Sequence, residues 1–433
     1  MLNKLSQRTQ IEIIILVLFT CIVAVLASIV FLKSKGNSSL LSISNFVGPA
    51  ADSLLHRGNF RFISDGMGTL GNPIEFSGAR MPFAPLMVAG SAFLLGTGSI
   101  LPIAILKTIA LLSIYWYVAY LIYKTYKNSN NLILFALLIF PFLLSPVLAI
   151  SASLESEEGY AYSLIALAFT YTVLRIELKY IKLLDAAVLS IAIALIYLTK
   201  SSYILFCIFL AVYNFAIKGR PLVRILPAFI LMFAILGWGY YQLSESGKFN
   251  IGTSLDGINL HKGNHIGFLE IYPPTPERSL DSYDTELNKG HLFQSEWEFD
   301  KFHKEKAIEY MISEPRRTLE AMLIKLNVFL FSIEKIGNRY HGLHYAWDLF
   351  SLTLIRITNI FAILLALFGV IKFSGDIKKI SLVFLLTQLT ITAPYVLGFA
   401  YTRHFSVLII PTMIFLAIFS QKYSTLCNEC SVI

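Results

Sequence analysis

Long apolar segments alternate with short charged ones along most of this chain. Most apolar runs have about 20 residues, enough for an α-helix to cross the roughly 30 Å hydrocarbon core of a bilayer. Their boundaries predict ten transmembrane helices, at residues 11–33, 98–123, 131–151, 159–176, 183–199, 201–217, 222–243, 350–372, 380–400 and 404–420. The pattern therefore predicts an all-α polytopic membrane protein.

Two further apolar segments do not fit a simple crossing. FAPLMVAGSAFLLG, residues 83–96, has only about 14 residues, which predicts a re-entrant or interfacial helix. Residues 318–333 are apolar but include Glu320 and Lys325, so we expect this segment to lie along the membrane surface. If both segments span the bilayer, the number of crossings rises from ten to twelve.

Lysine and arginine residues orient the predicted helices. Basic residues favour the cytoplasmic side of a membrane, and Arg175, at the end of the helix predicted for 159–176, is one such marker. The rule places both termini in the cytoplasm and two polar segments outside. The chain divides into an N-terminal transmembrane region (1–243) with a first outer loop (34–97), an extracytoplasmic loop and interfacial helix (244–349), and a C-terminal transmembrane region (350–433).

Composition supports the membrane interpretation. Hydrophobic residues make up 56% of the 433 residues and charged residues only 14%, whereas a soluble domain has about a quarter charged residues. The net charge of +8 comes from basic residues at helix ends rather than from one patch, so membrane lipid is an expected partner and nucleic acid is not. Cys427 and Cys430 form one CNEC pair without the second pair that a zinc site needs.

The predicted topology brings charged residues together at the outer membrane surface. Lys107 and Arg356 lie inside predicted helices, where a charge usually faces a cavity or a partner. The others lie in loops or at helix ends: Asp52, Asp65, Arg80, Glu157, Glu158, Lys200, Arg403 and His404. Each alone is compatible with an interfacial anchor. Together, cations that hold a phosphate and a carboxylate that deprotonates or orients a hydroxyl suit a lipid phosphate carrying a sugar.

Six stretches, in chain order, carry a resemblance to a known family. They are AADSLLHRGNF, ARMPFAPLMVAGSAFLLGTGS, SLESEEGYAYSLIALAF, ALIYLTKSSYILF, SEWEFDKFHKEKAIEYMISEPRRTLEAMLIKLNVF and YTRHFSVLIIPTMIFLA. They resemble motifs of the GT-C class of membrane glycosyltransferases, which includes protein O-mannosyltransferases and the aminoarabinose transferases that modify lipid A. The resemblance covers most of the chain.

The resemblance implies a GT-C-like fold and a glycosyltransferase. Such an enzyme takes a sugar from a polyprenyl-phosphate-linked donor and transfers it to a glycan, lipid or protein acceptor on the extracytoplasmic face. The implied ligands of the lipid phosphate are Lys200 and Arg403, with Lys107 and Arg356 as further candidates. Arg80 and His404 are expected beside the acceptor. The Lys-, Ile- and Asn-rich composition favours a bacterial cytoplasmic (inner) membrane.

One family feature has no counterpart in this sequence. The family carries an aspartate at the outer end of its first helix, but the chain has neither Asp nor Glu between Glu12 and Asp52. The candidate bases are therefore Asp52 and Asp65 in the first outer loop, and Glu157 and Glu158 in the short outer loop before the helix predicted for 159–176. A divalent metal is compatible with these carboxylates, and no other cofactor is indicated. Three alternatives stay open: an O-antigen polymerase or ligase, a transporter or flippase, and a non-catalytic scaffold.

Overall fold

The structure is a computed structural model that describes residues 43, 46–65, 70, 72–96, 100–125, 157–178, 182–216, 219–271, 286–331, 343–400 and 402–431. Its helices are α1 (Val47–Arg57), α2 (Phe83–Leu95), α3 (Ile100–Thr125), α4 (Glu157–Leu178), α5 (Leu183–Thr199), α6 (Ile204–Ala216), α7 (Pro221–Ser246), α8 (Asp256–Lys262), α9 (Phe268–Ile271), α10 (Glu296–Ser313), α11 (Pro315–Phe331), α12 (Leu343–Lys372), α13 (Gly375–Leu397) and α14 (Ile409–Ser431). Short 3-10 helices, Ser201–Tyr203 and Thr402–Leu408, precede α6 and α14. Between α1 and α2, β1 (Phe62–Ser64) and β2 (Ile74–Phe76) form an antiparallel hairpin.

Five helices within the described residues are long and apolar enough to cross a membrane. They are Glu157–Leu178, Pro221–Ser246, Thr353–Lys372, Gly375–Leu397 and His404–Tyr423. Three shorter apolar helices accompany them: Phe83–Leu95, Leu183–Thr199 and Ser201–Ala216. The chain is therefore an all-α integral membrane protein, and the total of ten crossings stays a prediction.

Eight of the predicted transmembrane helices fall on described residues, and all eight are helical there. The helix predicted for 183–199 has the same ends in the structure. The largest differences are at α12, which begins earlier than residue 350, and at α14, which continues beyond residue 420. Apolar length marks the hydrocarbon core and not the end of the helix, which can continue into water. The predicted helices at 11–33 and 131–151 lie outside the described residues.

α4 is the central helix of the bundle. Every residue from Glu157 to Ile176 is buried, and the helix contacts α3, α5, α13 and α14. Many of its residues are Gly, Ala, Ser or Thr, which lets neighbouring helices approach closely. The hydroxyl of Thr170 donates to the carbonyl of Ala166 one turn earlier, at 2.7 Å, and so needs no partner on another helix. Polar side chains at the ends of α4 are therefore enclosed by protein.

α7 lies at the periphery of the bundle instead. It contacts α5 and α6 on one side, and large apolar side chains are exposed on the other. The exposed side chains recur every three or four residues: Leu222, Ile225, Phe229, Met232, Phe233 and Leu236. This spacing forms one face of a helix, and we interpret that face as the side of the bundle that contacts lipid.

Three buried polar side chains connect the C-terminal helices. Gln388 Nε2 in α13 donates to Asn359 Oδ1 in α12 at 3.0 Å. Thr412 Oγ1 in α14 donates to the same oxygen at 2.6 Å. Interhelical hydrogen bonds in membrane proteins are worth about 0.6–2 kcal/mol each. The network therefore fixes how α12, α13 and α14 pack against each other.

The two outer segments share a small hydrophobic core. The sequence predicts a mostly polar loop for residues 34–97, but the structure shows α1 and the hairpin there as well as the expected short helix α2. Phe62 and Phe76 face each other across the hairpin, with ring centroids 5.8 Å apart. They pack with Leu255, Phe293 and Phe299 of the second outer segment. Cross-strand aromatic pairing and this shared core explain why the first loop folds.

Candidate functional site

Two carboxylates at the start of α4 form the centre of a charged cluster. Lys200 Nζ lies 2.5 Å from Glu158 Oε1 and 3.9 Å from Glu157 Oε2. Arg80 Nη1 is 3.6 Å from Glu157 Oε2. His404 Nε2 is 3.4 Å from Glu158 Oε1. The structure thus brings together five residues that the sequence analysis names as candidates, from four separate parts of the chain.

Lys107 approaches the same cluster from α3. The residue is 3% exposed, and its Nζ lies 3.7 Å from the centroid of the Tyr160 ring on α4. A desolvated cation over an aromatic face is stabilised by about 2 kcal/mol, so Tyr160 explains how α3 accommodates a buried lysine. Sequence reasoning identifies Lys107 but not this tyrosine.

The cations of the cluster lie nearer the surface than its carboxylates. The side chains of Arg80 and Lys200 are 19% and 20% exposed, against 7% and 5% for Glu157 and Glu158. Lys107 adds a third basic side chain beside the two carboxylates. An anion that approaches from solvent therefore meets the positive charge of Arg80 and Lys200 first.

Aromatic residues position Lys200 and His404. The Lys200 side chain extends from the turn between α5 and α6, and its Nζ lies 5.4 Å from the centroid of the Tyr395 ring. Tyr395 donates a hydrogen bond to the hydroxyl of Tyr203 at 3.0 Å. The ring of Tyr395 also stacks on His404, with centroids 4.2 Å apart. The same tyrosine from α13 thus orders both groups that contact Glu158.

A second buried carboxylate positions the loop that carries Arg80. Glu296, in the first turn of α10, accepts hydrogen bonds from Ser77 N and Oγ at 2.9 and 2.6 Å, and from Gly78 N at 3.0 Å. Ser254 Oγ also donates to Glu296, at 2.6 Å. Sequence reasoning missed Glu296 because its partners lie 219 and 42 positions away along the chain.

Of the two remaining candidate cations, the structure describes the side chain of Arg356 but only the backbone of Arg403. Arg356 is buried, and its Nη1 donates to the carbonyl of Phe329 at 2.7 Å. Its guanidinium lies 5.0 Å from the ring centroid of Phe405, next to the site histidine in the chain. The backbone of Arg403 belongs to the 3-10 helix Thr402–Leu408, but its side chain is outside the described part of the structure. A phosphate-binding role for Arg403 stays a prediction.

The two candidate acids of the first loop are not part of the ion pairs around Glu157 and Glu158. Asp52 lies 3.4 Å from His56 Nδ1 on its own helix, α1, and its side chain is 34% exposed. Asp65 follows β1 and is exposed. Among the described residues, Glu157 and Glu158 are therefore buried beside cations, whereas Asp52 is partly exposed and Asp65 is exposed.

Lys325 attaches the second outer segment to the helix bundle. Its ammonium lies within hydrogen-bonding distance of Gly263 O (3.1 Å), Asn264 Oδ1 (3.4 Å), Leu397 O (3.2 Å) and Gly398 O (2.9 Å). The sequence analysis interprets this lysine as a marker of the membrane surface, but the residue is fully buried. Leu397 and Gly398 are at the C-terminal end of α13, just before the turn that carries His404.

A neutral histidine pair lies inside the second outer segment. His261 Nδ1 is 2.8 Å from His303 Nδ1, and His303 Nε2 is 2.8 Å from Asn288 Oδ1. Because the amide oxygen accepts, His303 donates through Nε2 and accepts from His261 through Nδ1. Burial lowers the pKa of His261 to about 4 and, with the neighbouring His261, the pKa of His303 to about 3. Within the described ranges, no three His, Cys, Asp or Glu side chains converge in a way that could hold a metal ion.

Comparisons with known proteins do not assign the chain to a family. No protein-family model matches it, and no curated protein or solved structure matches it significantly.

Proposed function

We propose that the protein is a GT-C-type glycosyltransferase acting on the outer face of a bacterial cytoplasmic membrane. It takes a sugar from a polyprenyl-phosphate-linked donor and transfers it to a glycan, lipid or protein acceptor. The observation that carries the proposal is the cluster of three cations, Arg80, Lys107 and Lys200, around Glu157 and Glu158. It combines basic side chains for a phosphate with carboxylates for a hydroxyl, at one end of a membrane helix bundle.

The cations bind and stabilise the departing phosphate in this proposal. The lipid phosphate contacts the exposed sides of Lys200 and Arg80, and Lys107 adds charge from within the bundle. During transfer, the bond between the anomeric carbon and the phosphate oxygen breaks, and the phosphate keeps the electron pair. Removing one positioned group of this kind typically reduces turnover about 10²–10³-fold.

Glu157 is better suited than Glu158 to act as the base. Lys200 holds Glu158 at 2.5 Å, whereas the cation contacts of Glu157 are 3.6 and 3.9 Å long. A short ion pair favours the charged carboxylate and so weakens it as a proton acceptor. In the proposed step, Glu157 takes the proton of the acceptor hydroxyl while that oxygen attacks the anomeric carbon. Glu158 positions Lys200.

Native mass spectrometry of the gently purified protein tests this function. We expect a copurified polyprenyl phosphate, bare or carrying a sugar whose mass identifies the donor. Lys200→Met alone would leave the buried Glu158 without its closest cation, and breaking a buried ion pair costs about 3–5 kcal/mol. The informative variant is therefore Lys200→Met with Glu158→Gln, in which one positive and one negative charge are removed together. We expect it to fold and to retain at least tenfold less of this lipid.

A matched control separates this effect from a general loss of charge. Lys289→Met removes an exposed lysine of the second outer segment, whose side chain is 76% exposed, and should leave the bound lipid unchanged. Ordinary phospholipid in place of a polyprenyl phosphate in the unmodified protein would overturn the proposal and favour a transporter or scaffold. Equal amounts of polyprenyl phosphate in the double variant and the control would overturn the role of Lys200.

A further inference from the structure

A buried arginine, for which the described residues supply no carboxylate partner, lies near the other end of α4. Arg175 is 2% exposed, and its Nη1 donates to Asn214 Oδ1 at 2.9 Å. Its Nη2 is buried and has no hydrogen-bond partner among the described residues. A buried cation in a membrane protein is usually stabilised by a partner or a polar cavity, so an anion beside this nitrogen would stabilise it.

A second arginine, Arg224, lies close to Arg175. A methyl group added at Gly219 would lie 3.5 Å from Arg175 Nη2 and 3.9 Å from Arg224 Cγ, so the two side chains flank one glycine. Arg224 Nε donates to the carbonyl of Phe215 at 2.8 Å. Within the described parts of the chain, neither arginine forms an ion pair with a carboxylate. The two guanidinium groups are close enough to repel each other.

The N-terminus of α7 adds further positive potential. This helix of 26 residues begins at Pro221, two positions after Gly219, and Arg224 lies in its first turn. The N-terminus of a helix favours an anion and disfavours a cation, by about 0.3–1 kcal/mol. An arginine at this end, next to a second and buried arginine, is therefore destabilising unless an anion binds between them.

We infer that Arg175, Arg224 and the N-terminus of α7 form a binding site for the phosphate of an anionic phospholipid headgroup. The planar guanidinium matches phosphate oxygens with paired hydrogen bonds. Glu158 and Arg175 are 17 positions apart on one helix, or about 26 Å at 1.5 Å per residue. The site is therefore close to the opposite membrane surface, which the positive-inside rule predicts to be cytoplasmic and where anionic lipids are enriched.

Lipid titration of the full-length protein tests this inference. Native mass spectrometry would compare phosphatidylglycerol with phosphatidylcholine of the same acyl chains, for the unmodified protein and for Arg224→Gln. We expect at least tenfold tighter binding of phosphatidylglycerol to the unmodified protein. Arg224→Gln removes a cation that the helix N-terminus disfavours, so the variant should fold and lose about tenfold of that preference. Arg224→Lys keeps the charge without the paired donors, so an intermediate preference is expected.

The control is Lys378→Gln, which removes an exposed basic residue from the first turn of α13. It should change the preference less than twofold. Equal binding of the two lipids to the unmodified protein, or an equal loss in Arg224→Gln and Lys378→Gln, would overturn the site. Displacement of phosphatidylglycerol by millimolar inorganic phosphate would overturn the lipid assignment and identify free phosphate as the ligand. Retention of the lipid under these conditions supports the headgroup.

Discussion

The two ends of α4 carry opposite charge arrangements on one buried helix. At the outer end, Glu157 and Glu158 are both within ion-pair distance of cations. Near the inner end, Arg175 has an amide partner and a second arginine beside it, but no carboxylate contact among the described residues. Two residues further along the helix, Glu177 pairs with Lys422 at 2.6 Å. The same helix therefore holds two glutamates that are paired with cations and one arginine for which the described residues supply no carboxylate.

The helix dipole explains the signs of these charges but not their functions. Carboxylates at the N-terminus and an arginine near the C-terminus are each favoured by about 0.3–1 kcal/mol. Leaving a buried charge unpaired costs about 3–5 kcal/mol, which is several times larger. The partners of each charge therefore decide its role. Glu157 and Glu158 have cationic partners within the protein, whereas the described residues supply no carboxylate for Arg175, which is why we assign a ligand there.

The largest expected effect comes from replacing Glu157 and Glu158 one at a time. Glu157→Gln removes the proposed base, so turnover should fall about 10²-fold or more. Glu158→Gln loosens Lys200 without removing the base, so a loss of about tenfold is expected. The measurement is release of polyprenyl phosphate from the copurifying sugar-linked donor in reconstituted vesicles. Equal losses in both variants would contradict the division of roles.

The Glu177–Lys422 pair gives the next largest effect and reports stability alone. Lys422→Met leaves the Glu177 carboxylate unpaired with 9% of its side chain exposed, which should cost about 1–3 kcal/mol of unfolding free energy. The double variant with Glu177→Gln should recover most of this loss. Turnover of the folded protein should change less than twofold, because the pair is at the end of α4 remote from the outer cluster. A tenfold loss of turnover would show that the two ends are coupled.

Much of the outer cluster could be predicted because a membrane restricts where charges meet. Once helix ends are assigned to one surface, Glu158 and Lys200 must lie in the same thin layer, although 42 positions separate them. The fold class follows from the same apolar lengths. The positions of residues within that layer need tertiary packing, which is why Asp52 and Glu157 look equivalent in the sequence but differ in the structure.

The residues that the sequence did not reveal are those whose partners are backbone groups or distant loops. Glu296 binds the amides and hydroxyls of a loop more than two hundred positions earlier, and no local pattern marks such a partner. Lys325 looks like a residue of the membrane surface, yet its ammonium is enclosed by four oxygens. Arg175 looks like an ordinary cytoplasmic anchor. Its burial and its unpaired nitrogen become visible only when Asn214 and Gly219 are packed beside it.

Acidification should loosen the outer segment while leaving the inner end of α4 intact. His261 and His303 have pKa values of about 4 and about 3 in the folded protein, below the ordinary 6.5, chiefly because they are buried. An opened segment therefore binds protons more tightly between pH 6.5 and 4, so stability is full above pH 6.5 and falls as the pH decreases. At pH 5 the loss is about 2 kcal/mol for each histidine.

Hydrogen exchange, corrected for its intrinsic pH dependence, measures this loosening. Protection of α8 and α10 should decrease between pH 7 and pH 5, while protection of the inner half of α4 stays constant, because no histidine lies there. Replacing His261 and His303 by Asn should remove the pH dependence of α8 and α10. If α8 and α10 lose as much protection between pH 7 and pH 5 in this variant as in the unmodified protein, the histidine pair is not the cause. Equal loss of protection at both ends of α4 would instead indicate global unfolding. The second outer segment would then not open as a separate unit.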